Sequence, residues 1–127
     1  RRRLTRESQR GITVDRIFLA GFSQGGAVAY STALTYPEAL AGVIALSTYI
    51  PSPALLAREA SAANRAIPIL AAHGIQDDVV SPALGRAARD FLTQHGYAVE
   101  WHEYPMPHSL CIEEVRLIGH WLRARLA

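Results

Sequence analysis

The apolar run Ile17-Phe18-Leu19-Ala20 leads directly into Gly21-Phe22-Ser23-Gln24-Gly25-Gly26, and the helix formers Ala27-Val28-Ala29-Tyr30 follow. A strand that must turn into a helix within so few residues leaves the backbone little choice. G-x-S-x-G at the end of a strand describes a turn so sharp that its serine sits in a strained conformation. Gly21 and Gly25 are expected where strand and helix approach too closely for side chains. The turn lifts the Ser23 hydroxyl clear of the sheet. It also aims the helix N-terminus, with its free N–H groups and positive dipole end, at negative charge developing on an attacked carbonyl. The short pattern alone is common, and its strand-before, helix-after setting is what makes Ser23 a candidate nucleophile. The plainer reading is a glycine-rich turn whose serine only caps the helix.

Short apolar runs alternate with helical stretches along the rest of the chain. Residues 1–10 read as the end of a helix closed by Gly11, and a strand is expected at about 16–20. The helix after the turn should run to about Tyr36, where Pro37 stops it. Gly42-Val43-Ile44-Ala45-Leu46 is apolar on both faces, as a buried parallel strand is. A loop over 47–53 and a short alanine-rich helix over 54–63 precede a third strand at 67–72, with Pro68 near its start. A loop from His73 leads to a helix that Ser81 caps and Pro82 opens, ending at Gly96. Residues 98–104 alternate like a strand near a sheet edge. The loop 105–109 precedes a last helix over 111–126, with Val115, Ile118, Trp121 and Leu122 on its buried face. Four strands separated by helices predict an α/β fold with a parallel sheet covered on both faces. Without repeats, low-complexity tracts or linkers, residues 1–127 read as a single domain.

Composition adds few constraints. Of 127 residues, 50% are hydrophobic and 19% charged, enough apolar content for one packed core. The basic residues are all arginine, and Arg1-Arg2-Arg3 with Arg6 and Arg10 cluster at one end. With a net charge of only +2 and no aromatic residues among those arginines, a solvated helix face explains them better than a nucleic-acid site. Cys111, between Leu110 and Ile112, is the only cysteine and reads as a small packed residue. It permits no intrachain disulfide, so the reducing cytoplasm is the expected compartment. No apolar run approaches the ~20 residues that span a bilayer.

In a parallel sheet of this kind, active sites lie at the carboxyl ends of the strands. Ser23 falls at such an end, and so do two loops that offer what a serine nucleophile lacks. A hydroxyl needs a base, usually a histidine oriented by a carboxylate, in the chain order Ser, Asp or Glu, His. The third strand is followed by His73-Gly74-Ile75-Gln76-Asp77-Asp78, whose adjacent carboxylates rank evenly on position alone. The fourth is followed by Tyr104-Pro105-Met106-Pro107-His108, making His108 the base candidate. His95 at a helix end, His102 within a strand and His120 on the last helix read as surface or packing residues. His73 precedes the acid loop and reads as a structural residue hydrogen-bonding within it. No pair of histidines has metal-ligand spacing.

These segments together resemble the bacterial carboxylesterases, which group with acyl-protein thioesterases and lysophospholipase-like esterases in the α/β-hydrolase superfamily. The resemblance runs from Gly11 to Leu126 and is carried by Gly21-Phe22-Ser23-Gln24-Gly25-Gly26, Gly42-Val43-Ile44-Ala45-Leu46-Ser47, His73-Gly74 with Asp77 and Val79-Val80, and Tyr104-Pro105-Met106 before His108. It implies Ser23 as nucleophile, Asp77 rather than Asp78 as acid, His108 as base and the Gln24 N–H as an oxyanion donor. It implies a carboxylic ester or thioester as substrate, with no cofactor and no metal. Tyr49, Ile50 and Leu110, on loops at the same end of the sheet, are candidates to line an acyl pocket. Two departures stand out. Pro107 occupies the place where the family usually has glycine. The family also carries strands ahead of the nucleophile strand, including a His-Gly loop with a second oxyanion donor, and the sequence contains no counterpart to them. The nucleophile strand is therefore expected at a sheet edge without charge or proline to protect it, and the chain is expected to self-associate there, as a homodimer or larger, and to be a weak catalyst.

Overall fold

Residues 13–126 are described in a computed structural model of the chain. The expected helix over residues 1–10, and Gly11 as its cap, lie outside them. A 3-10 turn at Val14–Arg16 precedes strand β1 (Phe18–Phe22), helix α1 (Gln24–Thr35) and strand β2 (Gly42–Leu46). Helix α2 (Pro53–Glu59) and a 3-10 turn (Ala62–Asn64) lead to strand β3 (Ile69–Gly74), helix α3 (Pro82–Gln94), strand β4 (Val99–Tyr104) and helix α4 (Ile112–Leu126). The strands form one parallel sheet in the order β1-β2-β3-β4, with Phe18 opposite Gly42, Ile44 opposite Leu70 and Leu70 opposite Glu100.

The two central strands are buried along their whole length, as their unbroken apolar sequences require. Their side chains alternate between two cores. On one face Val43, Ala45 and Ile69 pack with Tyr30 and Leu34 of α1, Leu56 of α2, and Ala88 and Leu92 of α3. On the other, Ile44, Leu46, Leu70 and Ala72 pack with Trp121, Ile118 and Leu122 of α4. The result is the three-layer α/β arrangement that the sequence predicts. A buried side chain, Asn64, closes the connection from α1 to β2: its Oδ1 accepts from Leu40 N–H at 2.8 Å, and its Nδ2 donates to the carbonyls of Tyr36 (3.1 Å) and Glu38 (2.9 Å).

Several boundaries differ from those read in the sequence. β1 starts at Phe18 and extends through Gly21 and Phe22, because its register with β2 carries Phe22 to Leu46 and leaves Ser23 alone to make the turn. The alanine-rich helix stops at Glu59 and resumes as a 3-10 turn. β3 begins after Pro68, whose carbonyl still accepts from Val43 N–H, and it includes His73 and Gly74, which the sequence assigns to the loop. Cys111 is half-buried rather than packed in the core.

The largest correction concerns α4. Val115 is 54% exposed, and the core-facing position one turn before Ile118 belongs to Glu114, which has no accessible surface. Neither of its carboxyl oxygens makes a well-formed hydrogen bond among the described residues. Burial pushes its pKa from the usual 4.5 up to about 7, and the nearby Cys111 N–H lowers it only in part. Between about pH 4.5 and 7 the folded chain thus holds a proton that the unfolded chain has released, so stability falls as pH rises through that window. Glu114→Gln should remove this dependence and stabilise the chain at pH 8 by about 1–2 kcal/mol. Urea denaturation at pH 5 and pH 8 checks it; wild-type and variant curves that keep parallel pH dependence would contradict it.

Candidate active site

The turn after β1 has the geometry that its glycines foretell. Ser23 sits at φ 58°, ψ −123°, a conformation that costs an L-residue about 1–3 kcal/mol. Its N–H donates to the Leu46 carbonyl at 2.9 Å, and its carbonyl accepts from Gly26 N–H (3.0 Å) and Ala27 N–H (3.3 Å) in the first turn of α1. Gly21 is needed because a Cβ there would overlap the Gly25 carbonyl. The same reasoning fails for Gly25, where a Cβ would meet nothing within 4 Å. Only its backbone lies in the close approach. Gln24 and Gly25 open α1, so their N–H groups have no partner within the helix and point out of its positive end.

Two further strand ends bring their side chains to Ser23. His108 Nε2 lies 3.0 Å from Ser23 Oγ, and His108 Nδ1 lies 2.7 Å from Asp77 Oδ2. A carboxylate only accepts, so Nδ1 carries the proton and Nε2 turns its lone pair to the serine hydroxyl. The other carboxyl oxygen, Asp77 Oδ1, accepts from the N–H groups of Val79 (2.9 Å) and Val80 (2.8 Å). Burial pushes the Asp77 carboxyl up, but the hydrogen bond from His108 and those from Val80 and Val79 together hold it below the usual carboxylate range. Asp77 is 6% exposed, whereas Asp78 is turned to solvent.

The Asp77 loop is held from beneath by His73. Buried in β3, its Nε2 donates to the Val80 carbonyl at 2.9 Å and lies 3.5 Å from Asp77 Oδ2. His73 thus bonds to the loop, as its sequence position suggests, although it sits on the strand. The His108 loop is fixed by Gly74. Gln76 N–H donates to the Met106 carbonyl at 3.1 Å, and a Cβ on Gly74 would overlap the carbonyls of Met106 and Pro107. With Met106 buried as an anchor, Pro107 in place of glycine leaves His108 within reach of Ser23. The Phe22 ring packs against the imidazole, centroids 4.6 Å apart.

The remaining site expectations fare unevenly. Ile50 packs against the core on the α1 side of the sheet, Tyr49 is half-buried, and Leu110 is 49% exposed. His95 stacks on Phe91 and accepts no role near Ser23, His102 pairs with Glu100, and His120 is exposed. Sequence reasoning points to the loop from Ser47 to Tyr49 only as a place where a further oxyanion donor could lie, and does not foresee what Ser47 and Thr48 do. Ser47 has φ 49° and is fully buried, and the Thr48 hydroxyl donates to the Ser23 carbonyl at 2.5 Å. A strand followed by Ser-Thr carries no local signal for either feature, since both depend on contact across the sheet.

The line from Asp77 through His108 to Ser23 should leave a spectroscopic mark. A proton NMR spectrum should show a strongly downfield His108 Nδ1–H that survives Asp78→Asn and vanishes in Asp77→Asn. Loss of that resonance in Asp78→Asn would mean that Asp78 is the partner in solution.

Residues 3–126 match the family described as Phospholipase/Carboxylesterase. Acyl-protein thioesterase 1 of Neurospora crassa is 42% identical over 134 residues, which cover 97% of this chain and 51% of that protein. A probable carboxylesterase, SOBER1-like, of Arabidopsis thaliana is 34% identical over 124 residues, covering 97% and 47%. The crystal structure of Arabidopsis thaliana SOBER1 superposes with a TM-score of 0.93 at 31% identity, covering 99% of this chain and 60% of that one. The chain spans about half the length of the curated relatives it matches. No helix among the described residues is long and apolar enough to cross a membrane. The sharp turn at Ser23, the parallel sheet that carries it and the match along nearly the whole chain lead to one assignment: the chain belongs to the phospholipase/carboxylesterase family of α/β-hydrolases.

Proposed function

We propose that the chain carries the reaction centre of a serine hydrolase that cleaves carboxylic esters through an acyl-enzyme. The observation that carries this reading is the hydrogen-bonded line Asp77–His108–Ser23 at the strand ends. In the proposed mechanism His108 Nε2 takes the hydroxyl proton as Ser23 Oγ attacks the acyl carbon. Asp77 keeps the imidazole in the required tautomer and stabilises its charged form. The Gln24 N–H, at the positive end of α1, faces the developing oxyanion. His108 then returns the proton to the leaving alcohol, and water, activated by the same base, releases the acid. Tyr49 and Leu110 flank this centre in our reading as candidates for acyl contact, and Ile50 contributes to that loop from the core side. The lone cysteine supports a reducing, cytoplasmic setting.

A thioester in place of the ester is the second reading, favoured by relatives named acyl-protein thioesterases. The same attack serves both, since the leaving group differs and the acyl carbon does not. Ester and thioester substrates of equal acyl length, assayed side by side, separate them.

A fluorophosphonate should label wild-type chain at Ser23 and leave Ser23→Ala unlabelled. Asp77→Asn should slow labelling by about 10²–10⁴-fold. Asp78→Asn, an exposed change, should slow it by no more than about threefold. Labelling of Ser23→Ala at the wild-type rate would sink the nucleophile assignment, and equal losses at both aspartates would sink the choice of acid. The reading draws one oxyanion donor, the Gln24 N–H, from the described residues, and a single donor is worth about 10²–10³ in rate, so ester turnover by the 127-residue chain is expected to be weak.

Among the described residues β1 pairs only with β2, and its outer edge carries Phe18-Leu19-Ala20-Gly21-Phe22 without a charge. An unprotected edge of this kind pairs readily with another strand. Light scattering of the 127-residue chain should therefore show dimers or larger species that grow with concentration. A monomer at every concentration would show that the edge is covered.

A further inference from the structure

We infer that Thr48 is a positioning residue for the oxyanion donor, acting through the peptide unit that joins Ser23 to Gln24. The inference rests on the hydrolase reading above and deepens it. The carbonyl of Ser23 and the N–H of Gln24 belong to one planar, trans peptide, and no cis bond occurs among the described residues. The two groups therefore point in opposite directions, and whatever fixes one fixes the other. The Thr48 Oγ1–H donates to the Ser23 carbonyl at 2.5 Å from the loop that follows β2. It arrives from the sheet side, while Gly26 and Ala27 N–H reach the same oxygen from within α1. A rotation of this peptide would break the Thr48 bond and swing the Gln24 N–H away from the acyl oxygen.

The hydroxyl also acts on the strength of the donor. A hydrogen bond accepted by an amide carbonyl polarises the amide and makes its N–H a better donor. Thr48 thus supplies both aim and polarity to the one donor that the mechanism draws from α1.

Three features hold Thr48 in place. The residue is 4% exposed. A Cβ on Gly26 would lie 2.6 Å from Thr48 Cβ and Cγ2 and 2.8 Å from Oγ1, so the helix gives up a side chain to let the threonine in. Ser47, immediately before it, takes the left-handed φ of 49° that turns the chain back toward Ser23, and it is fixed there by its N–H to the Ala72 carbonyl at 2.8 Å. A buried non-glycine residue in that region is a strain that the surroundings must over-determine.

The test compares wild type with Thr48→Val, which keeps the shape and loses the hydroxyl, and Thr48→Ser, which keeps the hydroxyl. Thr48→Ala serves as a second hydroxyl-free variant should valine not be tolerated. Phosphonylation of Ser23 and hydrolysis of p-nitrophenyl acetate should slow by about 3–10-fold in Thr48→Val, the scale of one hydrogen bond. The loss should fall on kcat with KM unchanged, because the interaction serves the developing oxyanion rather than the bound ester. Thr48→Ser should recover most of the rate. The amide resonance of Gln24 should move in Thr48→Val and return in Thr48→Ser. A wild-type rate in both hydroxyl-free variants, or a serine variant no better than valine, would overturn the inference. A wild-type chain that the phosphonate never labels would refute the hydrolase reading instead. The Gln24 resonance would then decide for Thr48 alone: moved and restored supports it, unmoved overturns it.

Discussion

Ser23 stands in a backbone conformation that an L-residue seldom adopts, and much of the surrounding structure can be understood as what holds it there. The strain of about 1–3 kcal/mol is a sizeable part of the net stability of a small domain. It is offset by four hydrogen bonds to the residue's own backbone, from β2, from the first turn of α1 and from Thr48. The strand can turn so tightly only because Gly21 has no Cβ to meet the Gly25 carbonyl. The bonds that secure Ser23 join it to β2, to the loop that follows β2 and to the first turn of α1, so the turn depends on the pairing of β1 with β2 and on the start of the helix together.

Asp77 and His108 reach Ser23 by the same logic. Asp77 and His108 lie on loops that leave neighbouring parallel strands, and parallel pairing places those loops side by side at one end of the sheet. The two loops are then tied to each other through Gly74, Gln76 and Met106 rather than to solvent. Asp77 spends one oxygen on its own loop and offers the other to His108, so a single carboxylate both shapes the turn and orients the imidazole. Its adjacent neighbour Asp78 cannot take this part, because the turn that buries one side chain exposes the next.

What could be read from the sequence was whatever depends on local constraint. Gly21 and Ser23 announce the turn because few residues tolerate it. The unbroken apolar runs of β2 and β3 announce buried parallel strands, and Ser81-Pro82 announces a helix start that the structure keeps, with Ser81 Oγ accepting from Ala83 N–H. What was not legible depends on contact between distant segments. α4 packs with Trp121 edge-on to Phe18, and in that orientation Glu114 is buried and Val115 exposed, against the pattern of polarity. Ile50, expected at the site from its loop, lies half-buried against the core. The steric duty expected of Gly21 and Gly25 alike falls on Gly21 alone. Asp77 and Asp78 rank level on sequence position, and the resemblance, not the spacing, favours the first.

The central claim is that the Ser23 turn, the Asp77–His108 pair and the N-terminus of α1 act together on one acyl group. A crystal structure of the chain after reaction with a phosphonate ester tests this most directly. The account predicts phosphorus bonded to Ser23 Oγ, the phosphoryl oxygen within hydrogen-bond reach of the Gln24 N–H, and His108 still bridging Asp77 and the serine oxygen. Phosphorus on another residue, or a phosphoryl oxygen turned away from the start of α1, would contradict it.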